Sequence, residues 1–426
     1  MRLRVNNLGR WLWVASVALI VWATLLPGNE IAAPLIPPRW CLRCGGLWMT
    51  DAISNVVLFA PLGFALAWRG WRWWAAGLAA LLFSVGVETS QALGLPPARS
   101  AALADVITNT VGGLTGAALA TLWGWAVAPS ARVAQRLTVA WAAGASAVFW
   151  LTAAALGPRR PLEARDTATG AALTRSAYPH VPGQPWFGGI LDSAVVEGRY
   201  RVRRGWPGPV IVQRSRETAT LDAEVFVRGR DIEPFRVPIV YVHLPADSSP
   251  LLQLSSNGDQ AELSVTRRAW TWGLALPAVR LEQVFAGRTA RDPRPLHLVA
   301  QVGRDSLRLS ATGPGFTGRA ALALTPTLGW AMIQTVVDPS SRLAPLFLAC
   351  WLAGLVLPIG WWGARSGGAS WWLPLAGGAA VAATLQLLPR LTGVAPVSAP
   401  QWLTLVALLV TGVVGSRLLF RGRLPS

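Results

Sequence analysis

A chain of 426 residues that is 53% hydrophobic and only 14% charged, with a mean hydropathy of +0.41, has the composition of a membrane protein, because soluble domains carry about a quarter charged residues. The net charge of +18 comes entirely from arginine, there being no lysine among the 38 basic residues. These arginines are spread along the chain and not gathered into a patch, which argues against nucleic acid as a partner. Only four of the 20 acidic residues, Glu30, Asp51, Glu88 and Asp105, lie outside residues 158–342.

Apolar runs divide the chain. Residues 11–27 follow Arg2, Arg4 and Arg10 and read as a signal anchor, since no small-x-small cleavage site follows and further spans come soon after. A proline-rich loop carries Cys41 and Cys44; on an outer loop this C-x-x-C reads as a tight structural disulfide, and a redox or metal role would need a setting not visible here. Further spans are expected at about 51–68, 74–93, 105–127, 137–157, 343–363, 370–389 and 401–420. Cys350 falls inside the sixth and reads as packing. With the N-terminus in the cytoplasm, the inner segments hold Arg2, Arg4, Arg10, Arg69, Arg72, Arg132, Arg136, Arg365, Arg417, Arg421 and Arg423, whereas the short outer loops hold only Arg39, Arg43, Arg99 and Arg390. That bias predicts eight spans with both termini cytoplasmic and the long middle segment outside.

Three of the four stray carboxylates belong to one pattern. Asp51-Ala-Ile-Ser-Asn-Val-Val57 returns 54 residues later as Asp105-Val-Ile-Thr-Asn-Thr-Val111. Each copy opens an apolar run and puts a carboxylate and a carboxamide (Asp51 and Asn55, Asp105 and Asn109) at i and i+4 on one helical face. Between them, Glu88 and Gln91 share a face near the end of a run of opposite direction, and Arg99 lies in the following loop. The predicted topology brings this set to the outer leaflet. A carboxylate at membrane depth costs about 2.5–3.5 kcal/mol on insertion scales, so it needs a reason. For the aspartates, N-terminal capping is the bland alternative; for Glu88, deeper in its run, a functional role is favoured. The second and fourth spans run in the same direction, so a duplication relating them would be parallel, and Gly112 and Gly116 invite close helix approach.

From about Trp186 to Ile333 the pattern changes to short alternating segments: Thr220–Arg228, Val237–Leu244, Leu251–Ser255, Ala261–Arg267, Leu296–Val302 and Ser306–Ala311, with turns at Ser256–Asp259 and Gly303–Asp305. These predict an all-β sandwich of about 150 residues. His243 and His297 lie on strands and read as core or surface residues. The order DSAVVEGRY, ATLDAEVFVRG, PIVYVHLPADSSPLLQLSSNGDQAELSV and PLHLVAQVGRDSLRLSATGPG resembles the concanavalin A-like, laminin-G-type jelly roll, although an aromatic and a second histidine often found in its last hairpin are missing. That resemblance implies a sugar-binding or scaffolding module.

No Ser-His-Asp arrangement, P-loop, G-x-G-x-x-G or zinc-spaced histidine cluster is present, so any chemistry falls to Glu88, Asp105 and Asp51, with Arg99, Gln91, Asn55 and Asn109 as binding groups. Two carboxylates on neighbouring helices could hold a divalent cation or exchange a proton, and an arginine beside them could hold a phosphate. The motifs DAISNVVLFAPLGFAL, SVGVETSQAL and ARSAALADVITNTVGGLTGAAL resemble the VanZ family, named for a protein associated with resistance to glycopeptide antibiotics. The resemblance covers about residues 11–157 and carries over to Asp51, Asn55, Phe59, Pro61, Gly63, Glu88, Gln91, Arg99, Asp105, Asn109 and Gly113; it brings no defined chemistry with it. The chain departs from a short VanZ protein by its β domain and three added spans. The expected organisation is a VanZ-like membrane domain (1–157), an extracytoplasmic β domain (158–342) and a C-terminal membrane domain (343–426) in a bacterial inner membrane. The leading expectation is a cell-envelope protein binding the head group of an envelope lipid or lipid-linked glycan, its β domain meeting glycan or another partner. A carboxylate-dependent membrane enzyme, a proton-coupled transporter and a purely structural scaffold are the alternatives.

Overall fold

The computed structural model describes residues 2–25, 40–43, 45–96, 101–158, 171–175, 190–196, 200–203, 210–212, 219–226, 236–244, 247–286, 295–367 and 372–420. The chain divides into two compact units, one formed by residues 1–133 with Gly273–Ala275, the other by residues 134–272 and 276–426.

The first unit contains α1 (Arg2–Leu25), α2 (Trp48–Trp68), α3 (Trp73–Ala92) and α4 (Leu103–Val127), and α5 (Ala131–Leu156) leads out of it. Helices α1 and α5 begin earlier than the apolar runs that predict them, because Arg2, Arg4, Arg132 and Arg136 are good helix formers that hydropathy does not count. Glycines set the packing of α2 on α4. A Cβ at Gly112 would strike the Val56 carbonyl, and one at Gly116 would strike the carbonyl of Ala60. The contacts advance by four residues on both helices together, so α2 and α4 run parallel. Gly63 faces the Gly113 carbonyl, and Gly113 in turn faces Ala80 of α3. Helix α3 runs the other way: Gly77 packs on Leu114, Ala80 on Gly113, and Ser84 on Asn109. Phe59, Leu62, Leu66, Ala76, Ala80, Ala117 and Ile20 of α1 fill the core.

The second unit joins α5 to a β region and three later helices. Strands β1 (Ala171–Arg175), β2 (Ile190–Val196), β3 (Tyr200–Arg203), β4 (Val210–Val212), β5 (Ala219–Phe226), β6 (Arg236–Leu244), β7 (Asp247–Asn257) and β8 (Gln260–Val265) precede the short α6 (Arg268–Thr271). Strands β9 (Ala278–Leu281), β10 (Leu296–Val302), β11 (Ser306–Gly313) and β12 (Phe316–Ala323) follow it. They form two six-stranded sheets, ordered β4-β1-β6-β7-β8-β9 and β12-β11-β10-β5-β2-β3, with every described pairing antiparallel. In the second sheet the register aligns Leu298 with Ala311 and Ala223, and Ala300 with Leu309 and Leu221. All six are buried, while His297, Gln301 and Arg308 face outward. This period-two alternation is what made these strands legible. His297 lies on the surface, 3.9 Å from Glu224; His243 sits in β6 opposite Ala172. On the other sheet, Arg280 Nε lies 2.8 Å from Glu262 and 3.0 Å from Asp338.

A buried connector follows β12. Leu324 to Met332 are inaccessible, the last four forming α7 (Gly329–Met332), and Ala395 N donates to the Leu324 carbonyl at 3.0 Å. Helices α8 (Ala344–Gly363), α9 (Leu373–Thr392) and α10 (Ala399–Leu419) complete the unit. Gly360 lies on the Leu409 carbonyl and Gly412 on that of Leu357, a reciprocal glycine contact between α8 and α10. Cys350 is free and lies on the surface of α8, one of the helices apolar enough to cross a membrane.

Long helices thus form at each of the eight expected runs. Four of them, α2, α5, α8 and α10, are long and apolar enough to cross a membrane by length and composition. Of the others, α1 is apolar over the shorter stretch Gly9–Thr24, and α3, α4 and α9 carry polar residues that lower hydropathy: Ser84, Glu88, Thr89, Ser90 and Gln91 in α3, Asp105, Thr108, Asn109 and Thr110 in α4, and Arg390 in α9.

Candidate functional site

The polar set assembles at one end of the first unit. Parallel α2 and α4 each start there, with Asp51 and Asp105 in their first turns. Antiparallel α3 ends there with Glu88 and Gln91, both buried. The two aspartates hold corresponding positions at the starts of neighbouring parallel helices. Asp51 is exposed, and Asn55 and Asp105 half-buried.

Neither aspartate is an N-cap. Leu47 and Ala102 hold those positions, without side-chain capping bonds. The amides that open the helices go to backbone carbonyls: Met49 N and Thr50 N to Gly273 O at 3.0 and 3.1 Å, and Ala104 N to Cys41 O at 3.2 Å. The buried Thr50 hydroxyl oxygen accepts from Ala275 N at 2.8 Å. Supplied with these partners, the helix ends do not depend on the aspartates as N-cap residues.

Glu88 is tied to the backbone. Its Oε2 accepts from Ala102 N at 2.7 Å, which fixes the segment that opens α4 and meets part of the cost of burying a carboxylate. Gln91 reaches α1 by a long 3.4 Å bond from Nε2 to the Thr24 carbonyl. One turn below Asp105, the Asn109 amide donates to Ser84 Oγ at 2.9 Å, and its buried Oδ1 has no partner among the described residues. Sequence reasoning did not find Ser84 or Thr50. Ser84 carried a usable signal, since it lies on the same face as Glu88 and Gln91 at i−4 and i−7. Thr50 carried none, because its partner lies far along the chain.

Arg99, the expected anion-binding residue, lies outside the described residues, as does Cys44. Cys41 is disulfide-bonded. Among the described residues no group of three or more His, Cys, Asp or Glu side chains is arranged to hold a metal ion. Arg43 stacks on Trp48 at 5.2 Å, joining the cysteine loop to the start of α2.

The motif-bearing helices are also the part of the chain that matches a known family: the VanZ/LLP1 family model covers residues 11–124. This segment is VanZ-like. The match takes in the whole polar set and ends within α4, so α5 falls beyond the VanZ-like segment although the sequence resemblance ran to about residue 157. No curated protein and no solved structure matches the chain.

Proposed function

We propose that the VanZ-like unit binds the polar head group of an envelope lipid or lipid-linked glycan at its Asp51–Asp105 end, in a bacterial inner-membrane protein with eight spans and both termini cytoplasmic. The observation that carries this reading is the placement of two like-charged carboxylates in the first turns of adjacent parallel helices. A carboxylate in a membrane helix is costly on insertion scales, and neither aspartate is the N-cap of its helix. Asn55, Asn109, Gln91 and Arg99 would supply hydrogen bonds, Arg99 serving a phosphate and a divalent cation bridging it to the carboxylates. On this reading the β region is a jelly-roll domain on the outer side, meeting glycan or another envelope partner.

Native mass spectrometry of gently extracted protein tests the proposal. Wild type is expected to carry a specific phospholipid or polyprenyl-linked species that is lost in Asp105→Asn and Arg99→Ala. It should be kept in Glu88→Gln, which retains an acceptor for Ala102 N. A wild type that carries nothing specific, or variants that retain the species unchanged, would sink the head-group reading. Loss in Glu88→Gln alone would favour the second reading, a membrane enzyme or proton-coupled transporter that needs the Glu88 charge.

A further inference from the structure

In the second unit the starts of α5 and α9 meet the ends of α8 and α10. Gln135 of α5 donates through Nε2 to the Ser366 carbonyl, just past α8, at 2.9 Å. Gly363, the last residue of α8, packs on Pro374 in the first turn of α9. Leu357 meets Gly412 and Trp361 meets Gly415, so α8 and α10 run parallel. Beyond them the Arg365 guanidinium lies 3.9 Å over the Phe420 ring.

Three arginines stand at this end: Arg136 and Arg417, both exposed, and Arg365, half-buried. No carboxylate answers them. Neither α5 nor residues 343–426 contain Asp or Glu, and the described ion pairs involve none of the three. Arg365 Nε is buried without a partner among the described residues. So is the hydroxyl of Ser416, which lies on α10 one turn beyond Gly412 and one turn before Phe420. A buried donor left unpaired is costly, and arginines that merely set topology need no such burial. The start of α9 adds to the demand for an anion: its N-cap, Trp372, makes no side-chain capping bond, and helix N-termini favour negative charge.

We infer that this end of the second unit binds the phosphate of an anionic phospholipid, with Arg365 as the main contact and Arg136 and Arg417 flanking it. A guanidinium fork can take two phosphate oxygens at once, which an ammonium cannot. A lipid is favoured over a free anion because α5, α8 and α10 are long and apolar enough to cross a membrane. Val139, Leu418 and Leu419 are also exposed beside the arginines, where acyl chains would lie. An anionic head group is favoured over a zwitterionic one because no carboxylate in these helices would receive an ammonium. The site lies outside the VanZ-like segment and does not rest on the function proposed above.

The test is native mass spectrometry of full-length, delipidated protein in detergent, titrated with phosphatidylglycerol, phosphatidylcholine or inorganic phosphate. Wild type is expected to prefer phosphatidylglycerol to phosphatidylcholine, and Arg365→Gln to lose affinity for it about fivefold or more. Arg365→Lys keeps the charge that topology and helix ends use but not the fork, so it should also bind more weakly. Arg417→Gln, at an exposed position, carries the same expectation as Arg365→Gln should that variant fail to fold. Arg390→Gln, near the other end of α9, and Asp105→Asn, at the proposed head-group site, should titrate as wild type. Equal affinity for the two lipids, or wild-type affinity in Arg365→Gln and Arg417→Gln, overturns the inference. An equal loss in Arg390→Gln also overturns it, since net charge would then explain the binding. Loss in Asp105→Asn instead would place the lipid at the VanZ-like end. Displacement of the lipid by millimolar phosphate would make this a free-anion site and overturn the lipid assignment.

Discussion

Replacing Gly116 with valine is expected to destabilise the VanZ-like unit strongly. A Cβ there collides with the carbonyl of Ala60, which is backbone and cannot turn away, so α2 and α4 must separate. The penalty for such overpacking is about 3 kcal/mol or more, against a total stability of only about 5–15 kcal/mol. Gly63→Val, facing the Gly113 carbonyl, should behave in the same way. The control is Gly124→Ala at the far end of α4, where a Cβ meets nothing within 4 Å; it should be neutral, or stabilising by about 0.5–1 kcal/mol, because alanine replaces a helical glycine. Thermal midpoints by fluorescence-detected size-exclusion chromatography check both. A Gly116→Val protein as stable as Gly124→Ala would show that the close approach of the helices is not needed.

In the second unit, Arg280→Ala is expected to cost about 3 kcal/mol. Glu262 is buried and would lose the guanidinium that lies 2.8 Å away, and Asp338 would lose the same partner. Breaking a buried pair from one side costs about 3–5 kcal/mol, and the low end applies because Arg280 is itself one-third exposed. Burial alone would lower the proton affinity of Arg280; Glu262, through charge and a hydrogen bond, and Asp338, through charge, outweigh it and hold the guanidinium above the ordinary arginine range. A raised value means that the contribution of Arg280 is fully present below that range and is lost only as pH climbs through it. The gap in thermal midpoint between wild type and variant should therefore persist across neutral pH. Adding Glu262→Gln to Arg280→Ala should recover part of the loss, since the group left buried is then uncharged. No recovery would mean that packing by the Arg280 stem, and not charge, is what the variant removes.

These two sites differ in how far they could be read beforehand. Gly112 and Gly116 announced themselves by spacing, and the repeat of Asp51 and Asn55 at Asp105 and Asn109 announced two equivalent helix starts. Parallel packing then had to bring the two aspartates to one end. The Arg280 network had no such signal, because Glu262, Arg280 and Asp338 sit on separate segments that only the sheet and the connector after β12 bring together. In the β region, β10 and β11 were legible from strict alternation, whereas β12, with Gly318 and three alanines, has too little contrast between its faces. The capping role weighed for Asp51 and Asp105 depended on what else could reach their helix ends. The carbonyls that do so, from Gly273 and Cys41, come from segments whose approach no local pattern records.

The head-group site is the central claim, and site-specific photo-crosslinking tests it most directly. A benzophenone amino acid is placed at Asn55, half-buried one turn below Asp51, and at Leu119, which is 54% exposed on α4 and serves as the control. After irradiation in cells, the lipid adducts are identified by mass. The account predicts one head-group class at position 55 and the bulk lipid mixture at position 119. The same mixture at both positions, or no lipid adduct at position 55 alone, would contradict it.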